Sequence, residues 1–457
     1  MSRAPRVHGG LAEDFAAQNG GNDRVATSRP AIFHPVNIGG MLLSCQDGFP
    51  VSVGSGDLGH ASLQQAERCV TVRILYVNPF SQEVSGPDES LLVLLGRLIP
   101  LGVKAHVVLP TNGPQVDRYR ALRAEVHILP LTVLRRRASI EELLRLTRSL
   151  VVSVPTLIRL CRQIQPDIVH TNMEVAIDGL LASRWLAIPH VLHYRGNTLD
   201  EPRMVFDLLV RLWTSFSRRI FCISEATAAL FRSRDRGQKT QVIYNPVDLA
   251  AFQGAEREQT VRSEWGVGPR SLVVGTVGRL HPRKDLGTFI RAAALLSRGD
   301  RSLRFVVIGA AAGEEERAYA EQLRALALEL QVADRIHWAG ARRDIPRVMK
   351  ALDIFVLASR HEGFGRVVAE AMAAGCPVVV SDEGALPELV EGNRFGIEAR
   401  AGDPVSFAAQ IERLIADPSE RTHFASAGRE RSQAFDSFKV AEAVLANYRS
   451  IIEDCNL

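Results

Sequence analysis

Two successive trains of short apolar runs, each separated by segments of helical period, constrain this 457-residue chain more than any other feature. The first train has runs at Val72–Val77, Ala105–Leu109, Val126–Leu129, Ile168–His170, His190–His193 and Ile220–Ser224. Segments such as Glu89–Leu98, Glu141–Gln163 and Ile177–Leu186 carry helix-period apolar positions between them. After a less apolar stretch, Asp248–Gly268, the pattern restarts with Leu272–Val277, Arg304–Ile308, Arg335–Trp338, Ile354–Ala358 and Pro377–Ser381. Its interleaved helical segments are Leu286–Leu296, Glu314–Leu330 and Val367–Ala374. A strand buried on both faces reads as a continuous apolar run, and a parallel neighbour is reached only through a crossover, usually a helix. The pattern therefore predicts an α/β protein of two Rossmann-like, doubly wound domains, one over 70–250 and one over 251–434. In such sheets ligands gather at the carboxyl ends of the strands, so chemistry is expected in an interdomain cleft.

Composition narrows the alternatives. With 46% apolar and 23% charged residues the chain has the make-up of an ordinary globular protein. The richest apolar stretch, Leu91–Pro110, is cut by Arg97, Pro100 and Lys104, so no membrane-spanning helix is expected. The 6 cysteines show no Cys-x-x-Cys pairing, which suits reduced thiols and a cytoplasmic setting. Residues 1–69 hold 10 glycines and no sustained periodicity, and read as an irregular leader. Arg3 and Arg6 are not followed by an apolar core, so no secretion signal is expected there. Within the leader, Gly54-Ser-Gly-Asp-Leu-Gly59 matches a dinucleotide fingerprint, but the next strand follows too closely for a crossover helix. A net charge of +4 does not argue for nucleic acid. It is unevenly spread, however: 70–250 carries 23 basic and 16 acidic groups, against 27 and 29 in 251–457. The first domain therefore faces either solvent or something anionic.

Two segments of the second half could carry chemistry. Ser359–Asp382 places Gly363 and Gly365 in a loop ahead of a helix, where backbone can approach a ligand and free N–H groups attract an anion. Glu362 falls in the loop and Glu370 on the helix, about 7.5 Å along the axis from Gly365, roughly the span from a distal phosphate to a ribose. In Gly275–Asp285, Arg279 and Lys284 stand on a loop leading into the helix at Leu286, a planar fork and a point charge suited to gripping a diphosphate. Ordinary surface ion pairs would use the same residues. The chain contains no Asp-x-Asp, so the usual carboxylate pair for a phosphate-bound Mg²⁺ is missing and no metal ligands are assigned.

Gly278-Arg279-Leu280 through Lys284-Asp285, Glu362-Gly-Phe-Gly365 with Glu370, and Tyr244-Asn-Pro-Val-Asp248 closely resemble motifs of the retaining nucleotide-sugar glycosyltransferases of family 4, often called group 1. The likeness covers about residues 71–450 and implies the GT-B fold, two facing Rossmann-like domains. By resemblance, Arg279 and Lys284 hold the donor diphosphate and Glu370 the ribose. Glu362 and the Gly363, Phe364 and Gly365 backbone contact the donor sugar. Gly86, in Ser85–Glu89, stands where the family has a glycine-rich loop. A histidine facing the reacting sugar falls at His193, with Arg195 as the second register. The stripe Phe438, Val440, Val444, Leu445, Tyr448 and Ile451 resembles a terminal helix, here 435–457, that crosses back onto the first domain.

The resemblance implies a metal-independent, cofactor-free enzyme moving sugar from a nucleoside-diphosphate donor to a saccharide or lipid-linked saccharide acceptor, in cell-surface, exopolysaccharide or glycolipid synthesis. A same-face substitution is expected, with a phosphate oxygen taking the acceptor proton. Arg135-Arg136-Arg137 ahead of an apolar helix is compatible with docking on anionic membrane, such as the inner face of the plasma membrane. Rival readings are a sugar-nucleotide epimerase or hydrolase on the same architecture and a non-catalytic sugar-nucleotide-binding subunit.

Overall fold

The computed structural model describes residues 71–456 except 83–84, 135–139, 197–202, 236, 254–257, 269 and 298–301. The leader, its glycine fingerprint and Arg135–Arg137 lie outside the described residues. Seven strands form the first sheet: β1 (Val72–Val77), β2 (Val103–Leu109), β3 (Glu125–Ile128), β4 (Ile168–Thr171), β5 (His190–Tyr194), β6 (Arg219–Cys222) and β7 (Thr240–Val242). Six form the second: β8 (Val273–Val277), β9 (Arg304–Ile308), β10 (Ile336–Gly340), β11 (Ile354–Leu357), β12 (Val378–Ser381) and β13 (Ile397–Ala399). The orders are β3-β2-β1-β4-β5-β6-β7 and β10-β9-β8-β11-β12-β13. Every strand pair in both is parallel.

Both faces of each sheet are covered, which is why the strands read as unbroken apolar runs. In β1, Ile74 and Tyr76 enter one core cluster while Leu75 and Val77 enter another on the opposite face. The order reverses direction between β1 and β4 and between β8 and β11, and loops diverge there to leave a crevice. The residues after β1, β4, β8 and β11 are therefore the ones the fold presents for binding.

The lobes are joined by two crossings that pair with each other. Val247 N donates to Phe435 O at 2.8 Å, and Ser437 N donates to Val247 O at 3.0 Å. The terminal helix, Ser437–Asn456, then lies on the first lobe. Val440, Ala441, Val444, Leu445, Tyr448 and Ile451 enter the same cluster as Leu91, Leu94 and Leu95 of the helix Gly86–Leu98. Phe438 stays 55% exposed, with the Arg97 guanidinium 4.0 Å above its ring. Among the described residues no helix is long and apolar enough to cross a membrane.

Candidate active site between the lobes

On the second lobe the β8 loop is held close to its neighbour. A Cβ on Gly309 (φ 144°), just past β9, would sit 1.8 Å from Gly278 O. From Gly278 the chain makes a short 3₁₀ turn, Pro282–Lys284, with His281 Nδ1 accepting from Arg283 N at 3.1 Å. It then enters the helix Leu286–Leu296 through Asp285. Arg279 points toward the buried Glu316, Nη1 to Oε1 3.5 Å. Glu316 also accepts from Ala312 N at 2.6 Å.

The β11 loop meets this turn across the switch point. The Lys284 ammonium donates to the Glu362 carboxylate, with the two side chains 24% and 15% exposed. Residues predicted from separate motifs are thus in direct contact. Arg360 Nε reinforces the pairing of the loops by donating to Asp285 Oδ2 at 2.9 Å.

Gly365 begins the following helix, Arg366–Ala374, at φ 87°, where a Cβ would also lie 2.5 Å from Leu386 Cδ2. Both constraints favour glycine. Gly363 lies against the first lobe: a Cβ there would be 3.0 Å from Arg195 O. The Phe364 side chain turns away from the crevice. It is 2% exposed and packs on Phe435 and Tyr244, with ring centroids 5.3 and 5.9 Å away, so only its backbone can face the crevice.

Glu370 is buried at 7% exposure and paired with Arg366, Nε to Oε1 2.9 Å. Burial pushes its carboxyl pKa upward and Glu89 of the first lobe adds to this, while Arg366 opposes both. Arg366 also reaches across: its Nη1 donates to Gly86 O at 3.4 Å. Gly86 is exposed at the first turn of its helix and has nothing within 4 Å of where a Cβ would be.

The first lobe contributes a buried polar chain that sequence reasoning largely missed. Asn78, just after β1, donates through Nδ2 to Asp88 Oδ1 at 2.9 Å and accepts from Asn172 Nδ2 at 3.0 Å. Asn172, just after β4, accepts from Arg195 Nη2 at 2.7 Å. The Arg195 guanidinium also donates to Asn245 Oδ1, and Arg195 N donates to Glu174 Oε2 at 2.9 Å. Burial pulls the Arg195 pKa down to about 9, with Glu174 and Asp88 opposing, so the group is cationic at neutral pH. Asp88 is pushed up by burial and held back by its bonds to Ser85 and Asn78. Position just past strand ends was the available signal for Asn78 and Asn172, but nothing local marks them as partners.

The two registers at the end of β5 are separated. His193 lies within the strand, fully buried, its ring centroid 5.5 Å from His170 and 5.8 Å from Phe221. Neither ring nitrogen has a hydrogen-bond partner, and burial drives its pKa well below the usual histidine value. It does not reach the crevice surface, which corrects the first-choice assignment. Arg195, past the strand, carries the polar network.

Further contacts close the lobes. Ser224 Oγ donates to Gly363 O at 2.7 Å, and Glu388 Oε2 accepts from Glu225 N at 2.9 Å. A cavity of about 310 Å³ lies at the opposite ends of β5 and β6, lined in part by His190, Arg218 and Lys239, and includes none of the predicted residues. The interlobe crevice is defined by convergence of charged loops.

Residues 258–431 match the family model described as glycosyl transferases group 1, and residues 84–251 match that of glycosyltransferase family 4. A D-inositol 3-phosphate glycosyltransferase of Kineococcus radiotolerans is 33% identical over 63% of this chain and 72% of the relative. The chain spans about half the length of other proteins of that name, 48% for Segniliparus rotundus at 31% identity. A GDP-mannose-dependent alpha-mannosyltransferase of Mycobacterium tuberculosis is 26% identical over 83% of this chain and 97% of the relative. Among solved structures, Anabaena HepE in complex with UDP and glucose superposes with a TM-score of 0.72 at 24% identity, covering 83% of this chain and all of that one. This similarity carries the GT-B fold.

Proposed function

Because the chain belongs to the glycosyltransferases of group 1 and family 4, we propose that it moves a sugar from a nucleoside-diphosphate donor to an acceptor hydroxyl, retaining the anomeric configuration. The observation carrying this reading is the meeting of Lys284 and Glu362 from two loops at the switch point of the second lobe. The Arg366–Glu370 pair lies one helix turn farther on, and Gly86 O faces it from the first lobe. A diphosphate beside Lys284 and Arg279 leaves Glu370 for ribose hydroxyls and Glu362 for the sugar. The name of the mannosyltransferase relative supports a nucleotide-sugar donor.

The chemistry follows from charge. As the bond from the anomeric carbon to phosphate breaks, negative charge grows on the diphosphate and positive charge on the sugar. Fixed cations at Arg279 and Lys284 stabilise that change without reorganising, and lower the barrier by acting more strongly on the transition state than on the bound donor. The acceptor oxygen bonds to the anomeric carbon from the face the phosphate leaves, and its proton passes to a diphosphate oxygen. Arg195, held by Asn172 and Asn245, orients groups on the first-lobe side. Because these side chains supply the positive charge, transfer is expected to proceed without a divalent cation.

The acceptor is proposed to be a lipid-linked saccharide. On the helix Ile140–Ile164, Leu144, Val151 and Val152 are 54%, 68% and 56% exposed, with exposed Arg148 between them and exposed Arg159 two turns farther on. A stripe of this composition suits an anionic bilayer surface. Sedimentation with anionic but not neutral vesicles is the expected result, and equal partition would remove this part of the proposal.

The main test is nucleotide release from a panel of sugar nucleotides, with and without saccharide acceptors. Transfer predicts release that rises with acceptor and persists in chelator. Release independent of acceptor would indicate hydrolysis, isomerised donor an epimerase, and binding with no turnover an inert subunit.

A further inference from the structure

Strand β3 sits at the edge of the first sheet and pairs with β2 in a register that sets Glu125 beside His106 and His127 beside Val108. Side chains two apart on a strand share a face, so Glu125 and His127 project on the same side as His106. That is the face opposite Ala105 and Val107, which enter the cluster beneath the terminal helix. His106 Nδ1 lies 3.2 Å from His127 Nε2 and 3.4 Å from Glu125 Oε2. Among the described residues, this is the one set of three metal-type ligands whose donor atoms all fall within 4.8 Å of one another.

We propose that His106, Glu125 and His127 form a binding site for Zn²⁺ or a similar divalent transition metal, clipping the edge strand β3 to β2. Ligand atoms about 2.0–2.1 Å from a tetrahedral Zn²⁺ stand about 3.3–3.4 Å apart, the edge of the tetrahedron. The separations at His106 Nδ1, 3.2 and 3.4 Å, lie near that edge, and the remaining pair of ligand atoms, within 4.8 Å, reaches it by rotation of the exposed Glu125 and half-buried His127 side chains. Two imidazoles and one carboxylate suit zinc, and water would complete the fourth position. The Glu125 oxygens are divided: Oε1 lies 3.4 Å from Lys104 Nζ, while Oε2 turns toward His106. His106 is 4% exposed and its Nε2 has no hydrogen-bond partner, so the ring meets the cluster through Nδ1. The geometry gives a shallow site whose buried ligand is fixed by the sheet and whose other ligands are reached from solvent.

The test uses the full chain stripped with chelator and then dialysed. Zn²⁺ is titrated by calorimetry and Co²⁺ by its visible absorption, on wild type, Glu125→Gln and His127→Gln. These substitutions fall on an edge strand and leave the buried His106 in place. Wild type is expected to bind one equivalent with a tetrahedral Co²⁺ spectrum and a rise in thermal midpoint. Each variant is expected to lose at least tenfold in affinity, together with that spectrum and the midpoint rise. Unchanged isotherms in both variants would assign the metal to other histidines or cysteines and overturn the proposal. Absence of binding to wild type would overturn it as well. Turnover measured in chelator reports separately on the transferase reading, since neither substituted residue borders the cleft.

Discussion

Replacing Lys284 with Ala separates catalysis from folding. The side chain is 24% exposed and its partner Glu362 is 15% exposed, so the pair is partly screened. Its loss is expected to cost about 1–2 kcal/mol of stability, between the values for surface and buried pairs. For a domain of about 150–250 residues that lowers the melting midpoint by only about 2–8 °C. The catalytic effect is expected to be larger. A unit charge about 4 Å from developing phosphate charge interacts by about 4 kcal/mol at an effective dielectric constant of about 20. Removing one preorganised stabilising group typically costs about 10²–10³ in rate. Initial rates of acceptor-dependent nucleotide release at saturating donor should therefore fall by about 10²–10³, while differential scanning calorimetry records a folded protein. Lys284→Arg, which keeps charge but changes shape, should recover part of the rate. Turnover of Lys284→Ala within tenfold of wild type would refute the assignment of Lys284 to the leaving group. A comparable loss in both variants would show that geometry, and not charge, is the requirement.

His193→Phe should retain turnover within a few-fold, whereas Arg195→Met should lose it; the same rate assay distinguishes them. The pH dependence of stability should change as well. In the folded protein His193 lies far below its unfolded pKa of about 6.5, so above that pH both states are neutral and the residue imposes no proton-linked penalty. As pH falls below about 6.5 the unfolded chain gains a proton that the fold excludes, and stability drops by about 1.4 kcal/mol per pH unit for this group. His190, pushed down to about 3 by burial, adds to the same loss. Denaturant titrations between pH 7 and 5 should show a shallower decline in His193→Phe, and an unchanged slope would contradict its burial as a neutral ring. Gly365→Ala combines a left-handed φ of 87° with a contact of 2.5 Å to Leu386 Cδ2. It should cost about 1–3 kcal/mol from strain and raise the donor KM, as read by chemical denaturation and donor titration. Wild-type stability and KM together would show that the loop does not approach the donor.

The architecture was legible because its cause is local and repeated. Strands buried on both faces require continuous apolar runs, and parallel pairing requires crossovers, so two alternating trains predict two doubly wound lobes. The short strands β7 and β13 leave no such run in the sequence, since each has only three residues and pairs at a sheet edge. Gly363 and Gly365 read in the sequence as places where backbone can approach a ligand, whereas the neighbours that an added Cβ would meet there, Arg195 O and Leu386 Cδ2, belong to other elements and carry no local sign.

Residue types suited to phosphate and sugar, and the apolar stripe of the terminal helix, belong to the sequence alone, because side-chain chemistry and helical period need no partner to be read. Tertiary structure decided the rest. It joined Lys284 to Glu362, linked Arg366 to Gly86 across the lobes, turned Phe364 into the interlobe packing, and buried His193 while Arg195 took up Asn172 and Asn245. These outcomes depend on which loops the sheet order brings together and on which side of a strand end a residue falls. A linear spacing carries neither distance, because contacts between segments a hundred residues apart are fixed only when both lobes have closed around their cores.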